Sequence, residues 1–348
     1  MTSRIQPVAV YADPECLRHE PGLGHHESPA RLLALVRLLQ GQRLRHLPLQ
    51  LLNGRLATEQ EILRVHSEAY LNRLRVTRGL NVRLDPDTHT SPDSYDVALH
   101  AAGSTLAALE AVYKGQVRRA MVLVRPPGHH AEPDRAMGFC LLNNVAIAAQ
   151  HARTVLGAQR VAIVDFDAHH GNGTQAAFWT DPTVLYISTH QAPLYPGTGA
   201  ATEVGDGAGR GRTINIPLAA EHGDAEYDAI YGGLIARLLE QFRPDVILVS
   251  CGYDIAATDP LAGMSVTYDG FLRIVGHLCN TADLLCRGKL VGVLEGGYSI
   301  PGLEDGVAAT LEAMCGAVLV EDPKGPLVRL QLGDAARHLH LYRDYFDI

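Results

Sequence analysis

Residues 161–174, VAIVDFDAHHGNGT, decide how the chain is read. Residues 161–164 are apolar and mostly β-branched, the composition of a strand covered on both faces. The strand then runs into Asp165, Asp167 and His169, which alternation along an extended chain places on one side. Two carboxylates and an imidazole on one face at a strand end are costly unless paired or bound to a metal. Gly171 and Gly173 would equally suit a solvated turn, so this segment alone leaves a metal site and a plain loop both open.

The same design recurs. Residues 246–254, VILVSCGYD, carry an apolar run into Asp254. Residues 120–124 lead into RPPGHH, where two prolines and a glycine restrain the loop before His129 and His130. Residues 290–294 lead into LEGGY, whose glycines permit close backbone approach beside Tyr298. Further strands are expected at 8–11, 184–189 and 213–216. Helical spacing predicts helices at 29–40 (with Ser28 as cap), 93–114, 143–156, 224–241, 267–285 and 302–317. This alternation predicts an α/β fold with a mostly parallel sheet, in one domain over residues 1–348. Functional loops in such sheets leave the carboxyl ends of the strands, where these unusual residues fall.

Taken singly, each motif has a bland reading: an acid at a strand end, a structural histidine, a packed tyrosine. Together they form a complete set for metal-assisted amide hydrolysis: metal ligands, a proton-transferring histidine and a hydroxyl for the developing oxyanion. GDGAGRG at 205–211 lacks the Lys-Ser/Thr ending of a phosphate loop, and no G-x-S-x-G elbow occurs.

Composition narrows the class further. The 348 residues carry a net charge of −8, without the basic excess of a general nucleic-acid binder. No run approaches the roughly 20 apolar residues of a membrane span, and the first eleven residues do not read as a secretory signal. Six cysteines without C-x-x-C spacing read as reduced thiols of a cytoplasmic protein. The segment 321–348, with mixed charge and several aromatics, reads as a docked tail helix.

These segments resemble the histone deacetylase family, including its bacterial amidohydrolase and acetylpolyamine amidohydrolase branches. The matching stretches, in family order, are GHHESPARL at 24–32, RPPGHHA at 125–131, MGFCLLNNVAIAA at 137–149 and VDFDAHHGNGTQ at 164–175. YPGTG at 195–199, GYD with DPLAGMSVT within 252–267, and LEGGY at 294–298 complete them. The LEGGY and HHGNGT spellings look more like class II than class I.

The resemblance implies a three-layer arginase/deacetylase fold around an eight-stranded, mostly parallel sheet. It implies one catalytic zinc per chain held by Asp167, His169 and Asp254, although imidazole with carboxylates also suits ferrous iron. His130 matches the general base and acid, His129 its electrostatic neighbour, Asp165 the carboxylate behind His129, and Tyr298 the carbonyl-polarising tyrosine. Asn172 stands where class I enzymes usually carry aspartate, implying a less strongly buttressed His130. Phe139 and Tyr195 match the walls of an acyl-lysine channel, and Gly138 the carbonyl that meets the substrate N–H. Leu261 matches a residue at the channel mouth and Asp93 an acidic rim residue. A structural potassium ion is implied at the side chains of Asp165 and Ser188 and the carbonyls of Asp167, His169 and Thr189.

The implied reaction is hydrolysis of N-acyl amides, with acyl-lysine peptides or small acetylated amines as substrates. The apolar Leu261 favours the former; Glu15, Glu20 and Asp93 are carboxylates that could serve the latter. A two-manganese ureohydrolase of related fold and a non-catalytic acyl-ligand binder are the readings from other classes. The family's bacterial members are often homo-oligomers, but no sequence feature decides subunit number.

Overall fold

The computed structural model describes residues 6–316 and 339–347. The strands are β1 (Val8–Tyr11), β2 (Leu49–Leu52), β3 (Val82–Arg83), β4 (His89–Thr90), β5 (Arg119–Val122), β6 (Val161–Asp165), β7 (Val184–Gln191), β8 (Thr213–Leu218), β9 (Val246–Cys251) and β10 (Leu290–Leu294). Eight form a parallel sheet in the order β2-β1-β5-β10-β9-β6-β7-β8, and β3 and β4 form a separate small hairpin. β1, β5, β6, β9 and β10 are buried throughout, as parallel strands sandwiched between helices must be.

Seven of the eight main-sheet strands lie where the apolar runs predict them. The exception is β2, LQLL, an edge strand with three exposed residues and hence without the buried signature. Helix Pro29–Gln40 has the expected bounds, although Ser28 makes no side-chain cap bond and Pro29 sets the first turn. The helical stretch expected over 224–241 contains a π-helical segment at Ile230–Ile235, whose YGG sequence tolerates the wider turn. Short helices at Glu59–Ile62, Glu68–Arg75 and Asn172–Phe178 escape the periodicity because one or two turns display too little of it.

Most of the expected tail helix lies outside the described residues. Leu339–Leu341 forms a single 3-10 turn, and the Tyr342 hydroxyl is bonded by Asn215 N–H at 3.1 Å. All six cysteines are free and buried. No helix among the described residues is long and apolar enough to cross a membrane.

The strand order brings the chemistry together. β5, β10, β9, β6 and β7 are consecutive neighbours, so the loops bearing RPPGHH, LEGGY, GYD, DFDAHH and Tyr195 leave one edge of the sheet side by side.

Candidate active site

Asp167, His169 and Asp254 are buried and offer ligand atoms that lie within 4.8 Å of one another. His169 Nδ1 stands 3.1 Å from Asp167 Oδ1 and 2.9 Å from Asp254 Oδ2. Backbone donors aim the carboxylates: Gly296 N–H bonds Asp167 Oδ2 at 2.8 Å, and Ala168 N–H bonds Asp254 Oδ1 at 2.8 Å. A Cβ on Gly296 would meet Asp254 Oδ2 at 2.4 Å, so LEGGY needs glycine there to pass over the cluster. Burial and the neighbouring Asp167 charge push the Asp254 carboxyl up to about 7. Burial opposes charge on His169, but hydrogen bonds to the two carboxylates lift it to about 10. A buried pair of acids with one imidazole thus calls for a cation. Two carboxylates and an imidazole are a donor set that suits a divalent ion, and His169 also lines the neighbouring cavity.

A second cluster, Glu61, Glu110 and His151, has similar spacing. Arg55 already occupies it, bonding Glu61 at 2.7 Å and Glu110 at 2.8 Å, so its charge is satisfied without a metal.

The two histidines of RPPGHH are held differently. His129 Nδ1 lies 3.0 Å from Asp165 Oδ2, which also accepts the Tyr186 hydroxyl at 3.1 Å. Burial opposes protonation of His129, but the charges of Asp167 and Asp165 outweigh it and raise its pKa well above the usual imidazole value. His130 Nδ1 lies 2.8 Å from Asn172 Oδ1. The Asn172 amide nitrogen donates to Glu132 Oε1 at 2.8 Å, which turns its oxygen toward His130. His130 therefore carries its hydrogen on Nδ1, leaving Nε2 as the basic nitrogen. Burial, then the imidazoles of His129 and His169, push the pKa of His130 well below the ordinary value. Environments that drive two adjacent groups apart are a mark of acid–base sites.

Asp259, absent from the sequence-derived site, fixes Tyr298. It accepts the Tyr298 N–H at 2.7 Å, the Ser299 N–H at 3.1 Å and the Leu261 N–H at 3.0 Å. The Arg31 guanidinium lies 4.9 Å from the Tyr298 ring centroid and donates to the carbonyls of Gly297 at 2.7 Å and Glu295 at 2.6 Å. Burial pushes the Tyr298 phenol well above its usual pKa, keeping it a donor. Glu295, the acid of LEGGY, accepts the N–H groups of Gly128 at 2.6 Å and His129 at 3.1 Å, tying that loop to the histidine pair. Glu27 binds both Arg31 and Arg125 in the interior.

Phe139 and Tyr195 flank a cavity of about 250 Å3, completed by Gly138, His130, His169, Tyr298, Leu194, Leu261 and Asp87. Gly138 and Phe139 both have positive φ, at 56° and 66°, and a Cβ on Gly138 would strike the His130 ring at 2.4 Å. The Phe139 N–H is held by Thr88 Oγ1 at 3.0 Å.

Asp93 does not line the cavity: Arg18 holds its carboxylate at 2.6 Å and bonds Glu15 at 2.8 Å. Glu20 is likewise outside the lining. The cavity's acid is Asp87, in DPDT just before β4, a segment whose turn residues gave no sign of a site. Asp165 and Ser188 pair across β6 and β7. Ser188 Oγ bonds His190 Nδ1 at 2.9 Å, and Thr189 Oγ1 donates to the Asp165 carbonyl at 3.4 Å.

Residues 25–314 match the model of the histone deacetylase domain. The chain is 39% identical over 289 residues to a probable deacetylase of Archaeoglobus fulgidus, covering 83% of this chain and 80% of that protein. It is 38% identical over 325 residues to the histone deacetylase-like amidohydrolase of Pseudomonas aeruginosa, covering 92% and 84%. Its fold superposes on the crystal structure of the HDA15 HD domain with a TM-score of 0.89 at 34% identity, covering 99% of this chain and 96% of the other. The fold, the clustered strand-end motifs and these matches agree, and the chain belongs to the histone deacetylase family of deacetylases and amidohydrolases.

Proposed function

We propose that the chain, acting as one catalytic domain over residues 1–348, is a zinc-dependent deacylase. It removes acyl groups, acetyl in the simplest case, from the side-chain nitrogen of lysine in peptides or proteins. The observation that carries this reading is the cavity between Phe139 and Tyr195, which ends on His130, His169 and Tyr298. Its aromatic walls suit the methylene stem of a lysine and its floor suits amide chemistry.

Zinc held by Asp167, His169 and Asp254 would polarise the acyl carbonyl and lower the pKa of a water. His130 Nε2 takes the proton from that water and returns it to the departing amine. His129, anchored on Asp165, packs with its ring 4.1 Å from that of His130 and helps set its field. The Tyr298 hydroxyl donates to the oxygen that gains charge as the carbonyl becomes tetrahedral. The Gly138 carbonyl receives the substrate N–H, and Leu261 borders the mouth. Potassium at Asp165, Ser188 and the carbonyls of Asp167, His169 and Thr189 would brace the β6 loop from behind.

One observation favours a second reading. Asp87 places a carboxylate in the cavity lining, where it could meet the distal ammonium of an N-acetylated diamine. The test is a matched panel: acetyl-lysine and trifluoroacetyl-lysine peptides against N-acetylated putrescine, cadaverine and spermidine, with zinc-loaded enzyme. Preference for peptides supports lysine deacylation; efficient turnover of the small amines with little peptide activity transfers the assignment to polyamines.

A further inference from the structure

We propose that a second cavity, behind the loop that carries Tyr195, is a substrate subsite for an apolar side chain adjacent to the acyl-lysine. This rests on the peptide-deacylase reading above and narrows its substrate class. The cavity measures about 390 Å3 and adjoins the lysine channel, because Leu194 lines both. Its walls include Pro193, Leu194, Ala200, Ala201 and Pro217, with no charged side chain. Glu203, which follows the lining segment, is turned into the fold: it accepts the N–H groups of Gly199 and Ala200, both at 3.2 Å, and the Gln175 amide at 2.6 Å.

The cavity is a built feature of the loop. His170 Nδ1 and Thr198 Oγ1 are 2.8 Å apart, and His190 Nε2 bonds the Gly199 carbonyl at 2.9 Å. Both histidines are buried and reach the loop from the β6 loop and β7, respectively. Gln191 Oε1 accepts the Gly263 N–H at 2.7 Å, joining this cavity's wall to the segment that presents Leu261 to the channel. One anchored loop therefore forms the wall of the channel on one side and of the apolar cavity on the other. Such largely preformed, mostly apolar concavities are what small groups bind.

A lysine stem inserted between Phe139 and Tyr195 leaves the peptide backbone at the mouth. A neighbouring side chain can then pass over the shared Leu194. Burying a leucine or phenylalanine there is worth on the order of tenfold in kcat/KM. A charged residue would lose hydration without gaining a partner. An N-acetylated diamine has no side chain to place in the cavity.

The test uses the zinc-loaded 348-residue chain and acetyl-lysine tetrapeptides. The residue just before or just after the acetyl-lysine is varied among Gly, Leu, Phe, Asp and Lys. Two cavity-filling variants, Ala200→Trp and Thr202→Trp, change exposed positions, and a thermal melt checks that each is folded. The readout is the ratio of kcat/KM for the apolar peptide to that for the glycine peptide within each enzyme. The expected result is a ratio of about ten or more in the parent at one of the two positions, falling toward one in both folded variants. Peptide turnover without that preference, or a preference that survives both variants, overturns the subsite and leaves the deacylase reading standing. Turnover of N-acetylated diamines with none of any peptide overturns the deacylase reading itself, and the subsite with it.

Discussion

His130 Nδ1 and Asn172 Oδ1 lie 2.8 Å apart, and the Asn172 amide is held in that orientation by Glu132. An amide oxygen can only accept, so this contact selects the tautomer of His130 without supplying a full negative charge. Asn172→Leu removes the selection and leaves the metal ligands intact. We expect kcat to fall about 10–100-fold, the usual scale for a partner that orients a working group, with zinc content unchanged. Steady-state kinetics with metal analysis checks this; a wild-type kcat would show that Asn172 does not set the tautomer.

Tyr298 and Asp254 should separate chemistry from metal binding. Tyr298→Phe is expected to lower kcat by about 10²–10³ while one zinc remains bound, the scale of losing one oxyanion donor. Asp254→Ala should lose the zinc itself. Parallel activity and metal analyses decide it: unchanged turnover in the first variant, or full zinc in the second, contradicts the assigned roles.

Asp259 accepts the Tyr298 N–H at 2.7 Å and would act on the proposed reaction through that residue. Asp259→Ala would strip the acceptor from three backbone donors, costing on the order of 3 kcal/mol of stability. Turnover should fall with little change in zinc affinity, and Asp259→Asn should recover part of both losses. Thermal melts and zinc titrations of the two variants are the measurements; equal loss in both would place the role in charge rather than in hydrogen bonding.

Glu27 joins Arg31, under the Tyr298 loop, to Arg125, at the start of the histidine loop. Burial would raise its carboxyl, but Arg125 foremost, with His19 and Arg31, holds it at about 2. Glu27→Ala leaves two buried guanidinium groups short of their counter-charge and should cost about 3–5 kcal/mol. Denaturant unfolding measures it; a loss below about 1 kcal/mol would mean that water or a rearrangement replaces the carboxylate.

Acid should unfold the protein partly through His66. Its Nε2 accepts the Asn143 N–H at 2.9 Å, so its Nδ1–H must donate to the Glu132 carbonyl at 3.0 Å, and only the neutral ring fits. Burial holds its pKa at about 4 instead of the ordinary 6.5. Between those values the unfolded chain binds a proton that the folded chain refuses. The stability is therefore complete above pH 6.5 and lost as pH falls toward 4, by up to about 1.4 kcal/mol per pH unit. Denaturant midpoints from pH 7 to 4.5 should show a shallower fall in His66→Gln than in the parent; equal slopes would remove His66 from the account.

Much of this was legible in the sequence because chemistry and burial leave separate marks. β6, β9 and β10 announce themselves as apolar runs, and their ends carry acids, imidazoles and glycines that solvated loops rarely need together. β2 was not legible, since an exposed edge strand lacks the buried pattern. Asp87 and Asp93 could not be ranked from sequence: Asp87 lies in the β3–β4 turn and Asp93 just past β4, and only the course of the chain gives one to the cavity and the other to Arg18. Asp259, Glu132 and Glu295 were missed for a related reason. Their work is to accept hydrogen bonds from distant loops, at separations of 39, 40 and 167 residues, which no local spacing encodes.

The most direct test of the central claim is a zinc titration of metal-stripped enzyme, followed by turnover of an acetyl-lysine peptide. The account expects activity to rise linearly and to saturate at one zinc per chain, with acetate and free lysine peptide released in equal amounts. A requirement for two metal ions per chain, or zinc bound at full occupancy without hydrolysis of any acyl amide, would contradict it.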